Sequence, residues 1–218
     1  MPLSEFIIND ISPVSETQSI GEVQSIFTQT TYSHIPIHRD DVYVVCLPEN
    51  DTHCYDSNAP ISDYLHGYER FFVRIDTNWL DVLEAFAQNG CNLMPVLNEK
   101  NEYVGYYELE DVMKFFNDTP FLSEPGSVVI IEKGIQDYSF SEISQIVESN
   151  DGKIWGLFIS KLENDVAEIS IKIGSSNFND ILAAFRRYSY HIVSSHQEDT
   201  FLEDLRERSQ YLEKYLNI

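Results

Sequence analysis

Three observations in this 218-residue sequence predict an α/β chain built in two parts. A helix, strand, strand, helix unit recurs across the first half at an offset of about 60 residues. A break rich in proline and glycine follows at 117–126, and beyond it the order strand, helix, strand, strand, helix, strand is that of a ferredoxin-like βαββαβ domain. A last helix is expected over 198–218.

The helix of the first repeat starts at Ser19-x-x-Glu22, a capping-box spacing, and carries Ile20, Val23, Ile26 and Phe27 on one face. Its counterpart carries Trp79, Val82, Leu83 and Phe86, with Asn78 or Thr77 as its cap. After each helix comes a short apolar run broken by proline, His34-Ile35-Pro36-Ile37 and Leu93-Met94-Pro95-Val96. A proline there implies a strand position outside a hydrogen-bonded ladder, at an edge or bulge, as in strands that open onto a cleft. Both copies then turn into a second strand, Val42 to Cys46 and Tyr103 to Tyr107. The second helix of repeat one is interrupted by Pro48-Glu49-Asn50-Asp51-Thr52-His53, leaving Ile61 to Leu65 as the nearest helical stretch.

In the second half, Ser127 to Glu132 is a strand, and Ser139-x-x-Glu142 opens a helix with Phe140, Ile143, Ile146 and Val147 on one face. Ile154–Ser160 and Val166–Ile173 form a hairpin across Glu163-Asn164-Asp165. Asn177-x-x-Asp180 begins a helix ending on Arg186-Arg187, the charge that suits a helix C-terminus, and Tyr190 to Ser194 is the last strand. Residues 198–218 place Phe201, Leu202, Leu205, Tyr211, Leu212, Tyr215 and Leu216 at mostly helical spacing, a stripe expected to dock on its own chain or a dimer mate.

Composition excludes several function classes. Fourteen Lys and Arg against 36 Asp and Glu leave a formal charge of −22, which argues against nucleic acid and anionic membranes as partners. The imbalance is concentrated in residues 1–125, with 21 acidic and 5 basic side chains. No apolar run approaches the roughly 20 residues of a membrane span, and the opening MPLSEFIIND has no basic n-region. Cys46, Cys54 and Cys91 form no C-x-x-C pair and fit a reducing compartment, so a cytoplasmic location is expected. His53-Cys54 with His34, His38 and Cys46 lacks metal-ligand spacing, and no nucleophile has an identifiable activating partner; neither a metal nor an enzyme activity is expected.

The second copy, from Ile75-Asp76-Thr77 through Phe86-Ala87-Gln88-Asn89-Gly90 and Met94-Pro95-Val96 to Tyr103-Val104-Gly105-Tyr106-Tyr107-Glu108-Leu109-Glu110-Asp111-Val112, resembles a cystathionine-β-synthase (CBS) domain. The first copy is a degenerate match, and the domains expected are a tandem CBS pair at 1–120 (repeats about 10–66 and 70–120), 126–197, and 198–218. Such pairs commonly hold adenosine-containing ligands in their clefts, which implies AMP, ADP, ATP or S-adenosylmethionine as a possible ligand and no required cofactor. The family's signature is a glycine, two apolar residues, Ser/Thr, two variable residues and an Asp, the Asp binding ribose and the hydroxyl facing phosphate. By that resemblance Gly105 and Asp111 fit, while Glu108 stands where the hydroxyl would be and would repel phosphate. Repeat one keeps Asp51 alone. His34, Ile35 and Pro36, with Leu93, Met94 and Pro95, would line the base pockets. Without a ligand, Asp51 and Asp111 suit helix N-terminal positions equally well.

Beyond residue 126 the order of elements resembles an ACT domain, a regulatory module that pairs and often holds an amino acid. Asp137 fits that family's Asp-x-x-Gly turn and Ser139 lies beside it, but Phe140 stands where the glycine would be. The expectation is therefore a non-catalytic regulatory protein, a small-molecule sensor that forms a homodimer and acts on an unidentified partner. A ligand-free dimeric scaffold and an amino-acid sensor are the alternatives.

Overall fold

The computed structural model describes residues 3–11, 14–40, 42–175 and 177–195; the expected helix at 198–218 lies outside them. The chain divides into two compact units between Phe116 and Asn117.

The first unit holds the repeat. In repeat one, β1 (Val14–Ser15) precedes α1 (Ile20–Gln29), β2 (His34–Arg39), β3 (Val42–Pro48) and α2 (Glu49–Thr52). In repeat two, β4 (Val73–Arg74) precedes α3 (Trp79–Asn89), β5 (Leu93–Leu97), β6 (Tyr103–Glu108) and α4 (Leu109–Asn117). Each makes a three-stranded sheet with the same pairing, β1 parallel to β2 and β2 antiparallel to β3, then β4 parallel to β5 and β5 antiparallel to β6. The irregularity in register recurs too, after Ile37 in one copy and after Val96 in the other.

The helix starts follow the expected chemistry. Ser19 and Glu22 form a reciprocal capping box, and the Asn78 side chain accepts from the Leu80 and Asp81 amides. Apolar positions at helical spacing then bury Ile20, Val23 and Phe27 in one core, and Val82 and Phe86 in the other.

Two local expectations change. The proline-bearing strands β2 and β5 are the central strands of their sheets. The proline is tolerated because β1 and β4 are only two residues long and pair beyond it, with Ile37 and His38 and with Val96 and Leu97. In repeat one, α2 is a single turn, whereas α4 runs for nine residues. Where α4 buries Val112 and packs Phe115, the first copy has Thr52 and Tyr55 with polar residues between, so the apolar stripe is missing. Ile61 and Leu65, in short 3-10 turns, fill that core instead.

The second unit begins with α5 (Pro120–Ser123) and continues through β7 (Ser127–Gly134), α6 (Phe140–Glu148), β8 (Lys153–Glu163), β9 (Val166–Gly174), α7 (Phe178–Arg187) and β10 (His191–Ser195). The sheet is antiparallel with strand order β10-β7-β9-β8, the ferredoxin-like arrangement that the sequence predicts. Asn164 and Asp165, both at positive φ, make a two-residue turn between β8 and β9. Alternate residues of β7 and β9, Val129, Ile131, Ile169, Ile171 and Ile173, pack under Ile143, Val147, Ile181 and Phe185 of α6 and α7. Ser139 caps α6, but Asn177 makes no side-chain cap for α7.

Lys133 ties this unit's sheet to α6. Its Nζ lies 2.7 Å from Glu142 and 4.1 Å from the centroid of the Tyr190 ring. The Lys133 and Tyr190 hydrogen bonds hold the Glu142 carboxyl below its ordinary range. A depressed carboxyl stabilises the fold above its unfolded value and loses that contribution as pH falls through the folded value. In acid titrations followed by thermal melting, Lys133→Met is expected to be less stable than wild type near neutral pH, and the gap should close below the ordinary glutamate range.

Candidate functional site

The two repeats meet where equivalent residues face each other. Ser33 and Asn92 sit just before β2 and β5, and each bonds the other's backbone amide: Ser33 N–H donates to Asn92 Oδ1 at 2.8 Å, and Asn92 N–H to Ser33 Oγ at 3.0 Å. The Ser33 hydroxyl also donates to Asn92 Oδ1, and Asn92 Nδ2 donates to the Thr31 carbonyl. Their own carbonyls accept from the first amides of the following helices, Glu49 of α2 and Leu109 of α4. Toward the other end of these strands, the equivalent rings of Tyr43 and Tyr103 stack with centroids 6.2 Å apart, beside a small core of Cys46 and Leu97. A pseudo-twofold axis therefore passes between identical positions of the two copies, and it places the heads of α2 and α4 on either side of one seam.

In repeat two, Asp111 occupies the first turn of α4 with its side chain 23% exposed and Lys114 Nζ 3.2 Å away. Lys114 is shared with Glu110 at 3.1 Å. Glu108 ends β6 directly opposite Leu93 in the ladder, and its Oε1 accepts from the Tyr32 hydroxyl at 2.5 Å, a bond that crosses from repeat one. Tyr32 is 3.0 Å from the Tyr106 hydroxyl, which donates in turn to Asp10. Burial, with the Glu108 carboxylate second, pushes the Tyr32 phenol up to about 12, and burial with Asp10 pushes Tyr106 upward as well. Both phenols therefore remain protonated donors at neutral pH.

In repeat one, Asp51 is exposed and accepts from Tyr68 at 2.7 Å, and Tyr68 also contacts the Tyr55 hydroxyl. His34 Nδ1 is 2.9 Å from Ser33 Oγ, and burial pushes the imidazole down while the charge of Asp51 works the other way. Ile35, Pro36, Leu93, Met94 and Pro95 are buried in the two central strands.

Gly105 is packed against the N-terminal segment. Ile8 bridges Tyr106 in both directions at 2.9 Å, and a Cβ on Gly105, at φ 143°, would lie 2.3 Å from the Ile8 carbonyl oxygen. The glycine admits the N-terminal segment against β6, where Leu3, Phe6 and Ile7 join the core of repeat two. Residues before position 10 thus complete the second repeat, a role that no pattern in their sequence signals.

In the second unit, Asp137 lines a cleft of about 590 Å³ with Glu132, Lys133, Gly134, Tyr188 and His191 among its walls. Ser139 is engaged in capping α6, and its amide bonds the Tyr190 hydroxyl at 3.3 Å. Among the described residues no group of three or more His, Cys, Asp or Glu is placed to hold a metal ion, and no helix is long and apolar enough to cross a membrane.

Residues 65–118 match the CBS domain family. The match covers repeat two, from the turn before β4 to the end of α4, and it is to a regulatory rather than a catalytic family. Solved structures that resemble the chain include a CBS domain pair/ACT domain protein from Thermotoga maritima, 18% identical with a TM-score of 0.48, covering 53% of this chain and 96% of that one. The CBS domains of a transcriptional regulator from Streptococcus pneumoniae are 17% identical with a TM-score of 0.47, covering 52% of this chain and 98% of theirs. CBSX2 in complex with AMP is 14% identical with a TM-score of 0.45, covering 53% of this chain and 95% of that one. No curated protein matches.

Tyr32, Tyr68 and Asp10 are not singled out by sequence reasoning, because a tyrosine hydroxyl that reaches a carboxylate 76 or 17 positions away leaves no local spacing to find. Ser33 and Asn92 do carry a signal, since both precede the proline-bearing strand by the same number of residues.

Two substitutions test these assignments by denaturant unfolding. Gly105→Ala is expected to cost about 2–4 kcal/mol through the clash with Ile8. Asn92→Ala is expected to cost about 2 kcal/mol by stranding the Ser33 amide and the Thr31 carbonyl.

Proposed function

We propose that the first unit is a non-catalytic sensing module that takes a neutral or zwitterionic adenosine compound at the head of α4. The C-terminal unit, as an ACT-like domain, dimerises and passes the change to a regulated protein in the cytoplasm. The observation that carries this is Asp111: within the segment matching the CBS family, it stands in the first turn of α4, partly exposed, as an acceptor for ribose hydroxyls. Glu108 sits one turn earlier and puts a carboxylate where phosphate would come, which favours adenosine or S-adenosylmethionine over ATP. The proposed pair would span 1–120 and the ACT-like domain 126–197, with Gly105, Leu93, Met94 and Pro95 framing one cleft and His34, Ile35, Pro36 and Asp51 the other. A ligand there shifts the balance between arrangements of the repeats only by its differential affinity.

A ligand-free scaffold is the second reading, and a specific observation favours it: tyrosine hydroxyls already occupy Asp51 and Glu108.

Thermal-shift measurements against adenosine, S-adenosylmethionine, AMP, ADP and ATP separate the two. At 100 times its dissociation constant a ligand adds about 2.7 kcal/mol, a rise of several degrees. The sensing reading expects that rise with an adenosine compound and its loss in Asp111→Ala; the scaffold reading expects no rise with any of them. Glu108→Gln is expected to tighten AMP about tenfold by removing one facing charge, and unchanged AMP affinity would remove Glu108 from the site.

A further inference from the structure

We infer that residues 120–126 are a clamp fastened to the outer face of the second unit's sheet, so that the slack in the chain between α4 and that sheet is confined to Asp118 and Thr119. This holds whether or not the first unit takes a ligand.

One face of the sheet is covered by α6 and α7. On the other, β8 carries Gly156 and Phe158, paired with Lys172 and Ser170 of β9, and α5 lies against them. The Phe121 ring sits over Gly156, where an added Cβ would come within 2.3 Å of Phe121 Cδ2, and it meets the Phe158 ring edge-on with centroids 6.1 Å apart. Lys172 Nζ donates to the Leu122 carbonyl at 3.1 Å, a cation at the C-terminal end of the turn. Further along, the Trp155 indole N–H donates to the Pro125 carbonyl at 3.2 Å. The β8–β9 register shifts between Ile154 and Gly156, which leaves Trp155 as the extra residue of a bulge, and its ring lies against Gly174, two residues from Lys172 on the same face. The bulge thus gives one face two adjacent fastenings, the hollow at Gly156 and the indole donor.

These fastenings hold a segment that could not hold itself. α5 is four residues long, and an isolated helical turn of that length is not stable in water. Its bonds run from the Leu122 and Ser123 amides to the Thr119 carbonyl and from the Glu124 amide to the Pro120 carbonyl, all within the segment. Pro120 at its first position and Pro125 behind it restrict the alternatives open to the detached chain, and the sheet beneath supplies the rest. α4 ends at Asn117 and α5 begins at Pro120. The helix whose first turn bears Asp111 therefore reaches a sheet-bound anchor after two residues, and a movement of its C-terminal end is carried to β8 at Gly156 instead of being absorbed by a loose run from 118 to 126.

Amide hydrogen exchange of the full chain, read at Leu122, Ser123 and Glu124, tests the clamp. In the wild type these amides are expected to be protected. Phe121→Ala removes the ring and Gly156→Ala pushes a methyl into it, and each is expected to speed exchange at the three positions about tenfold. The Ile169 and Ile171 amides of the central strand β9 report whether the sheet of either variant is intact. A Gly-Ser-Gly-Ser insertion between Asp118 and Thr119 separates α5 from α4 without touching the sheet, and protection at 122–124 is expected to survive it. Protection lost on insertion means that α5 is held as an extension of α4 and overturns the inference. Unprotected exchange in the wild type overturns it too, as does protection indifferent to Phe121→Ala or to Gly156→Ala while Ile169 and Ile171 stay protected.

Discussion

The exchange of amide bonds between Ser33 and Asn92 is the constraint around which the first unit is arranged. Each residue stands at the start of a central strand, and its carbonyl accepts from the first amide of the helix that closes its repeat. One pair of side chains therefore sets the distance between two strands and the position of two helix N-termini. Half-buried polar groups tied in this reciprocal way are costly to break singly, because each loss strands its partner. The stacked Tyr43 and Tyr103 rings act further along the same axis, so the two repeats are held at two levels of one seam.

Given that seam, the differences between the copies acquire direction. α4 is a full amphipathic helix because Leu109, Val112 and Phe115 give it an apolar stripe; at the equivalent positions α2 has Glu49 and the buried but polar Thr52, and it stops after one turn. The degenerate copy replaces the lost helix with Ile61 and Leu65 and with a cluster of tyrosines, Tyr55, Tyr64 and Tyr68, the first two stacked at 4.0 Å. Its Asp51 is bound to Tyr68, while Asp111 in the intact copy is paired with the lysine one turn along its own helix.

The pseudo-symmetry is legible in the amino-acid sequence, because a capped helix followed by a proline-bearing strand occurs twice at one offset. Alternation in Val166–Ile173 likewise signals a strand with one face in a core. Strands of two residues, Val14–Ser15 and Val73–Arg74, carry no period, so the central position of β2 and β5 leaves no trace; the prolines suggest an edge or a bulge, and the register irregularity that follows each is what the structure has. The site is legible only where local sequence encodes it. Asp111 belongs to a motif and stands out; Tyr32 is recruited from the other repeat by the fold and does not. Gly105 stands out through its motif, whereas its contact with the Ile8 backbone is one that no spacing around residue 105 indicates.

The carboxylate at position 108 links the two repeats. A serine or threonine there would act locally, whereas Glu108 reaches the Tyr32 hydroxyl and so ties the end of β6 to the segment just before β2. Tyr32 is immediately followed by Ser33, half of the pair on the axis. Anything that takes the carboxylate of Glu108, or displaces the phenol from it, therefore acts one residue from the bond that orients the repeats. On the sensing reading this supplies the differential contact that a population shift requires, because ligand and Tyr32 compete for the same edge of the cleft. On the scaffold reading the same contact is a permanent strut. The chemistry of the two cases is identical, and what separates them is whether any ligand displaces one phenol from one carboxylate.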